Sequence, residues 1–220
     1  MKGQRHLISI IILIPAIIVG ILTAAIGDIY LFTQVNQSFG PEWKYPALAF
    51  SFLGEAFTMV LLLLLTLKQP FRQTLLVGLV WLSGACYSWM FKLGWMKGAP
   101  RPLEYFSRKG IGIETFTGVK VHHFNTFPSG HTLTVFSAVV LVDLLFPKAS
   151  FPIKSGVLVL ALGCAFSRMV LAQHWASDLA GGMLLGLFAG YTGYWIVLQL
   201  PRKPLLELSI WEQVVRREKA

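Results

Sequence analysis

Charge is scarce in this chain. Only 13% of its 220 residues are charged, and ten of them are acids, where a soluble domain carries about 25%. Cysteine and histidine are also few, at two and five. Cys86 and Cys164 both lie inside apolar runs. They make neither a disulfide framework nor a cysteine-based metal site, and read as small buried hydrophobes. The net charge is +9, but no basic stripe lies on a soluble element, which argues against nucleic acid as a partner. Internal repeats and low-complexity segments are lacking too.

Apolar residues fill the space instead, at 55% of the chain. Several runs reach the roughly 20 residues that cross a bilayer. The pattern predicts an all-α polytopic membrane protein, one domain over 1–220. Six transmembrane helices are expected at about 7–27, 47–67, 74–95, 129–146, 155–173 and 177–198. Lys2 and Arg5 precede the first run, as in a signal peptide. Its apolar stretch of about 20 residues exceeds the 7–15 of a signal, so it reads as a retained helix. In the tail, 201–220, Leu208, Trp211 and Val215 stand at helical spacing. An amphipathic cytoplasmic helix and a frayed, solvated tail are both open readings.

Orientation follows from Lys and Arg. With a cytoplasmic N-terminus, the inner segments hold Lys2, Arg5, Lys68, Arg72, Lys148, Lys154, Arg202, Lys203, Arg216, Arg217 and Lys219. The first outer loop has only Lys44, beside Asp28 and Glu42. Both termini are then cytoplasmic, in a bacterial-type inner membrane. The loop at about 96–128 breaks the rule, with Lys97, Arg101, Arg108, Lys109 and Lys120. A loop this long is uncommon unless functional or disordered, and its charge predicts an anionic ligand.

Three polar clusters stand out. In "PSGHT", Pro128 suits a first helical turn, and Ser129 and Gly130 then offer backbone N–H groups to an anion. His131 shares that turn; an ordinary helix start fits as well. In "SRMVLAQHWASD", Arg168 lies near the end of an apolar run, where snorkelling is the bland alternative. His174 and Asp178 are four apart and share a helical face. Such a pair fixes the ring tautomer and prepares a basic or nucleophilic histidine. In "FKLGWMKGAPRP", Lys92, Lys97 and Arg101 surround the end of the third span, with Pro102 holding Arg101 extended. The predicted topology brings all three clusters to the outer membrane face. Several cations against one carboxylate there suit a phosphate.

These motifs resemble the type-2 phosphatidic acid phosphatase superfamily, which shares its fold with vanadium haloperoxidases. Its Pro-Ser-Gly-His motif stands here as residues 128–131. Its Ser-Arg, five residues, His, three residues, Asp pattern stands as Ser167-Arg168, His174 and Asp178. The first motif departs: the family has six residues between Lys and Arg-Pro, whereas Lys92 leaves eight and Lys97 three. Lys92 is preferred. The resemblance implies a metal-independent phosphatase with no cofactor, acting on a phospholipid or other lipid phosphate. His174 would carry a phosphohistidine, Asp178 would orient it, and His131 would serve the leaving group and then water. Lys92, Arg101, Ser129, Gly130 and Arg168 would hold the phosphate.

Lys97, His122 and His123 are further candidates for substrate contact. A metal site joining His122 and His123 to His131 is disfavoured, because neighbours in an extended loop point opposite ways. Glu55 and Asp143 are intramembrane acids outside the motifs, functional by default or hydrogen-bonded within the bundle. Glu104 and Glu114 are expected in solvent. Phosphoryl transfer to a lipid acceptor and transport are the rival functions.

Overall fold

A membrane leaves a backbone no partner but itself, and the apolar runs answer with helices. The structure, a computed structural model, describes residues 5–201 and 204–213, with side chains for 11–201 and 206–213. Along the chain come α1 (Arg5–Ile26), α2 (Asp28–Ser38), α3 (Lys44–Phe52), α4 (Ala56–Thr66), α5 (Phe71–Trp89), α6 (Pro102–Arg108), α7 (Gly130–Leu145), α8 (Phe151–Val170), α9 (Ala176–Gln199) and α10 (Pro204–Glu207). A π-helical turn, Met90–Trp95, extends α5. The described residues contain no strand, only the isolated bridges Pro70–Ser209 and Pro100–Phe124.

Among the described residues, four helical stretches are long and apolar enough to span a membrane: Pro41–Thr66, Phe71–Trp95, Phe151–Val170 and Ala176–Gln199. A fifth results if α1 and α2 count as one, although they meet at 105°. Gly27 makes that elbow with φ +85, a backbone setting that favours glycine. Six spans were expected. The fourth of them, α7, has only 16 residues and measures about 24 Å, short of a hydrocarbon core of about 30 Å. It is also the helix other helices enclose, with eleven of its residues buried. The second span is broken between α3 and α4, at 53–55.

The centre of the bundle is α7 against α9. Gly182, Gly186 and Gly190 recur every fourth residue on α9, the small-residue stripe that lets membrane helices approach closely. A Cβ on Gly186 would sit 2.7 Å from the Leu133 carbonyl oxygen and 2.9 Å from Phe136 Cβ. Phe136, Val139 and Val140 of α7 and Leu179, Met183 and Leu187 of α9 build the main core with Ile12, Ala161, Cys164 and Ala165. The outside is apolar as well: Leu64, Leu65, Val159, Phe188 and Trp195 are exposed, a surface suited to lipid. Cys86 is exposed rather than buried, since α5 turns it outward; Cys164 is buried, and both are free.

Asp143 pairs with Lys154 Nζ at 2.5 Å, the bundle-bonded alternative for that acid. Arg72 at the start of α5 pairs with Glu207 at 3.1 Å and donates to the carbonyls of Leu200 and Val197. Through it the described part of the tail is docked on the bundle, with Trp211 exposed. Lys2, Arg202, Lys203, Val215, Arg216, Arg217 and Lys219 lie outside the described residues, so the spacing that includes Val215 does too.

Candidate active site

The turn from α8 into α9 carries the site. Ala172 adopts φ +54 there. The amide of Gln173 donates to the Arg168 carbonyl at 2.9 Å, and that of Ala172 to Met169 at 2.9 Å. This is a Schellman ending, with alanine where glycine is usual. It ties the Arg168 carbonyl to the amides of Gln173 and His174 and sets the five-residue interval between Arg168 and His174. Asp178 is the third residue of α9, and its Oδ2 accepts from the Trp175 amide at 2.9 Å. The same oxygen takes the Thr126 hydroxyl and faces His174 Nδ1 at 3.3 Å.

His174 is 2% exposed. On its other edge, Nε2 lies 3.3 Å from Arg101 Nη1. A guanidinium has no lone pair to offer, so Nε2 accepts and the ring proton sits on Nδ1, toward Asp178. Burial, and then the charges of Arg101, Arg168 and Lys92, depress the pKa of this ring well below its ordinary 6.5. His174 is therefore a neutral imidazole whose lone pair points into a cluster of cations.

Three chain segments supply those cations. Arg101 is extended, at φ −81 and ψ 166, as the following proline requires; Pro102 then starts α6. Its guanidinium donates to the carbonyls of Phe124 (3.0 Å) and Gln173 (3.0 Å). Arg168 is 8% exposed. Its Nη1 donates to Ser51 Oγ at 2.5 Å, while its buried Nε meets no acceptor among the described residues. The side chain is turned inward, against the snorkelling alternative for its near-end position. Lys92 lies in the π-helical turn, and its Nζ would be 3.5 Å from a Cβ on Gly130. Arg101, Arg168 and Asp178 all act on it electrostatically. A π turn holds more residues than an α turn, so the longer interval to Arg101 is taken up without carrying Lys92 away. Lys97 is exposed beyond that turn.

The Pro-Ser-Gly-His segment begins its helix later than expected. Pro128 precedes α7, and Ser129 is its N-cap, with Oγ accepting from the Thr132 amide at 3.4 Å and hydroxyl at 2.9 Å. A serine's capping preference places the helix start after it. The Ser129 amide donates to the Asp178 carbonyl at 3.1 Å, so it joins α7 to α9 rather than standing free. The first-turn amides, with no carbonyl four residues behind them, belong to Gly130 and His131.

His131 meets a residue outside every motif. Its Nε2 lies 2.9 Å from Glu55 Oε1, at the break between α3 and α4. Gly54 permits this approach, because a Cβ there would fall 2.5 Å from His131 Cβ and 2.8 Å from its Cα. The site thus gathers a second carboxylate, where one was expected. A cavity of about 240 Å³ opens beside this pair, lined among others by Met59, Val80, Trp81, Gly84 and Leu133.

His122 is exposed, and its pKa is lowered by partial desolvation of its ring and then by the charges of Arg101, Lys120, Arg168 and Lys92. His123 turns to Glu104 Oε2 at 2.8 Å, and Glu104 also holds Arg108 at 2.7 Å. Glu104 is thereby ion-paired rather than simply solvated, and these bonds hold its carboxyl below its ordinary value. Glu114 is exposed as expected. Glu55 stood open in the sequence as an intramembrane acid, but Ser51, Thr126 and Gln173 carried no signal: each is a common polar residue whose partner lies 52 or more positions away.

The family model described as the PAP2 superfamily matches residues 90–202. The chain is 36% identical over 80 residues to a lipid A 1-phosphatase of Porphyromonas gingivalis, covering 36% of this chain and 18% of that protein. It is 33% identical over 93 residues to the bacitracin transport permease protein BcrC of Bacillus licheniformis, covering 42% of this chain and 43% of that one. The matched stretches span less than half the length of either relative. The crystal structure of Aquifex aeolicus LpxE shares the fold, with a TM-score of 0.63 at 19% identity over 76% of this chain and 94% of its own.

Proposed function

Because this chain belongs to the PAP2 superfamily, we propose that it is a lipid phosphate phosphatase working through a phosphohistidine at His174. One observation carries the reading. A buried neutral imidazole, held on one edge by Asp178, turns its lone pair toward Arg101, with the unpartnered Nε of Arg168 nearby in the same cationic cluster. Buried cations are costly without counter-charge, and a phosphate supplies it.

Two displacements follow. His174 Nε2 attacks phosphorus, the bond to the lipid oxygen breaks with its electron pair on oxygen, and His131 gives that oxygen a proton. Water then attacks the phosphohistidine, His131 takes the water proton, and the P–N electron pair returns to Nε2. Asp178 stabilises the positive ring throughout. Lys92, Arg101 and Arg168, with Ser129 Oγ and the Gly130 amide, face the charge that spreads over the phosphoryl oxygens. These cations perform the charge stabilisation a metal could otherwise provide, so activity is expected to survive chelator.

The substrate class proposed is a phosphomonoester or pyrophosphate of a membrane lipid, such as phosphatidic acid, phosphatidylglycerophosphate, undecaprenyl pyrophosphate or a lipid A phosphate. The cavity beside His131 suits the lipid carbons next to the phosphate. The topology that goes with this has six spans, the enclosed α7 included, both termini cytoplasmic and the site outside. Transport, which the name of the Bacillus relative raises, gains less from a charge cluster gathered where helix ends meet.

Phosphate release from those four lipids in detergent tests the proposal. His174→Ala should lower turnover by at least about 10³-fold in a folded protein, and wild-type protein should form an acid-labile phosphoprotein. Full activity in His174→Ala would overturn the mechanism. Radiolabel appearing on an acceptor lipid instead of in free phosphate would make the enzyme a phosphotransferase.

A further inference from the structure

His131 has a carboxylate of its own. Glu55 Oε1 lies 2.9 Å from Nε2, and it comes from a part of the chain 76 residues away. The break between α3 and α4 exists at this point: Glu55 is the extended N-cap of α4, at φ −76 and ψ 166. Gly54, immediately before it, packs against the His131 backbone and ring Cδ2, where a Cβ would come within 2.9 Å. The Nε2–Cδ2 edge of the ring therefore faces the break. Nδ1 is on the opposite edge.

The charges around His131 are Lys92 from the π-helical turn, Arg168 from α8 and Glu55 from the break, with His174 from the turn before α9 also in the cluster. A proton on His131 is repelled by both Lys92 and Arg168. Glu55 is the carboxylate that opposes them at hydrogen-bonding distance. Resting on the phosphohistidine reading above, we propose that Glu55 is a positioning residue for His131: it holds the ring by Nε2 and favours its protonated form, leaving Nδ1 to exchange a proton with the leaving oxygen. The second histidine is thereby served as the first is, each ring held on one edge by a carboxylate and turned to the substrate by the other. Glu55 touches no reacting atom, and its side chain is 55% exposed, so neutralising it should leave the fold intact.

A proton matters only when the leaving group needs one. The full chain in detergent is assayed with dioctanoyl phosphatidic acid, whose leaving alkoxide must be protonated, and with p-nitrophenyl phosphate, whose phenolate leaves unaided. Glu55→Gln should lower kcat/KM for the lipid by about tenfold to a hundredfold, part of what a general acid supplies, and for the aryl ester by less than about threefold on the same ground. The alkaline limb of the lipid pH–rate profile should move to lower pH. In a His131→Ala background Glu55→Gln should add nothing. Equal losses on both substrates, or losses that multiply with His131→Ala, would overturn the inference while leaving His174 chemistry untouched. If wild-type protein turned over neither substrate, the proposed function would be the casualty. The positioning role would then be read by ¹⁵N shifts of the His131 ring at pH 8. They should report an Nε2–H tautomer in wild type and a mixture in Glu55→Ala, and identical tautomers would end it.

Discussion

Arg168 shows how much a single side chain can depend on its fork. Nη1 donates to Ser51, and the buried Nε, which meets no acceptor among the described residues, is a donor that a ligand can take. Lysine has a point charge and no fork. Arg168→Lys is expected to keep the positive charge yet lower kcat/KM by about 10²–10³-fold, the usual cost of a lost transition-state donor; phosphate-release kinetics measure it. His174 has a second signature, in stability. The folded ring resists protonation well below 6.5, whereas the unfolded chain takes up its proton near that value. Unfolding thus binds a proton in acid, and the contribution of His174 is fully present above pH 6.5 and drains away as pH falls, by up to about 1.4 kcal/mol per unit. The thermal midpoint in detergent should drop between pH 7 and pH 5, and His174→Gln should flatten that drop. Equal slopes in the two proteins would remove His174 as its source.

At the level of the elements, helix ends carry the candidate site. Pro-Ser-Gly-His and Ser-Arg…His…Asp are readable in the chain because each is a helix terminus written in residue types, a cap on one side and an exit turn on the other. The interval between Arg168 and His174 is the length of a Schellman turn, but Ala172 conceals it, since glycine is the residue that advertises one. The π turn under Lys92 has no residue signature, which left the choice of lysine open. Pro128 lies just before the helix rather than in its first turn, because the capping power of Ser129 outweighs a proline's liking for the first helical position. Glu55 was legible as an oddity, and its partner was not, because a break in an apolar run shows only once a neighbouring helix presses on Gly54. The α7–α9 contact is more transparent: glycines at 182, 186 and 190 announce a close approach. Gly186→Ala should destabilise the fold by about 1–3 kcal/mol, the range for overpacking, seen as a lower thermal midpoint. Gly78, where an added Cβ would meet nothing within 4 Å, should tolerate alanine and serves as control.

For the whole molecule, the count of spans was the least secure inference from composition. Apolar length equates an enclosed helix with a lipid-facing one, and α7 falls short of the first measure because neighbours surround it. The proposed topology is open to a direct check: single cysteines at Lys97 and Ser177, in a background lacking Cys86 and Cys164, should react with an impermeant maleimide from the same side, and a cysteine at Lys148 from the other. Labelling of residues 97 and 177 from opposite sides would refute it. One contact spans nearly the full fold. At the elbow after α1, Asp28 accepts the Ser177 amide at 2.9 Å and its hydroxyl at 2.5 Å, three positions past His174. A clasp between residues 149 apart cannot shut while the ribosome is still making what lies between. The start of α9, three positions past His174, is fastened to the first elbow only once the chain has grown past residue 177, so this fastening is among the late contacts of the fold.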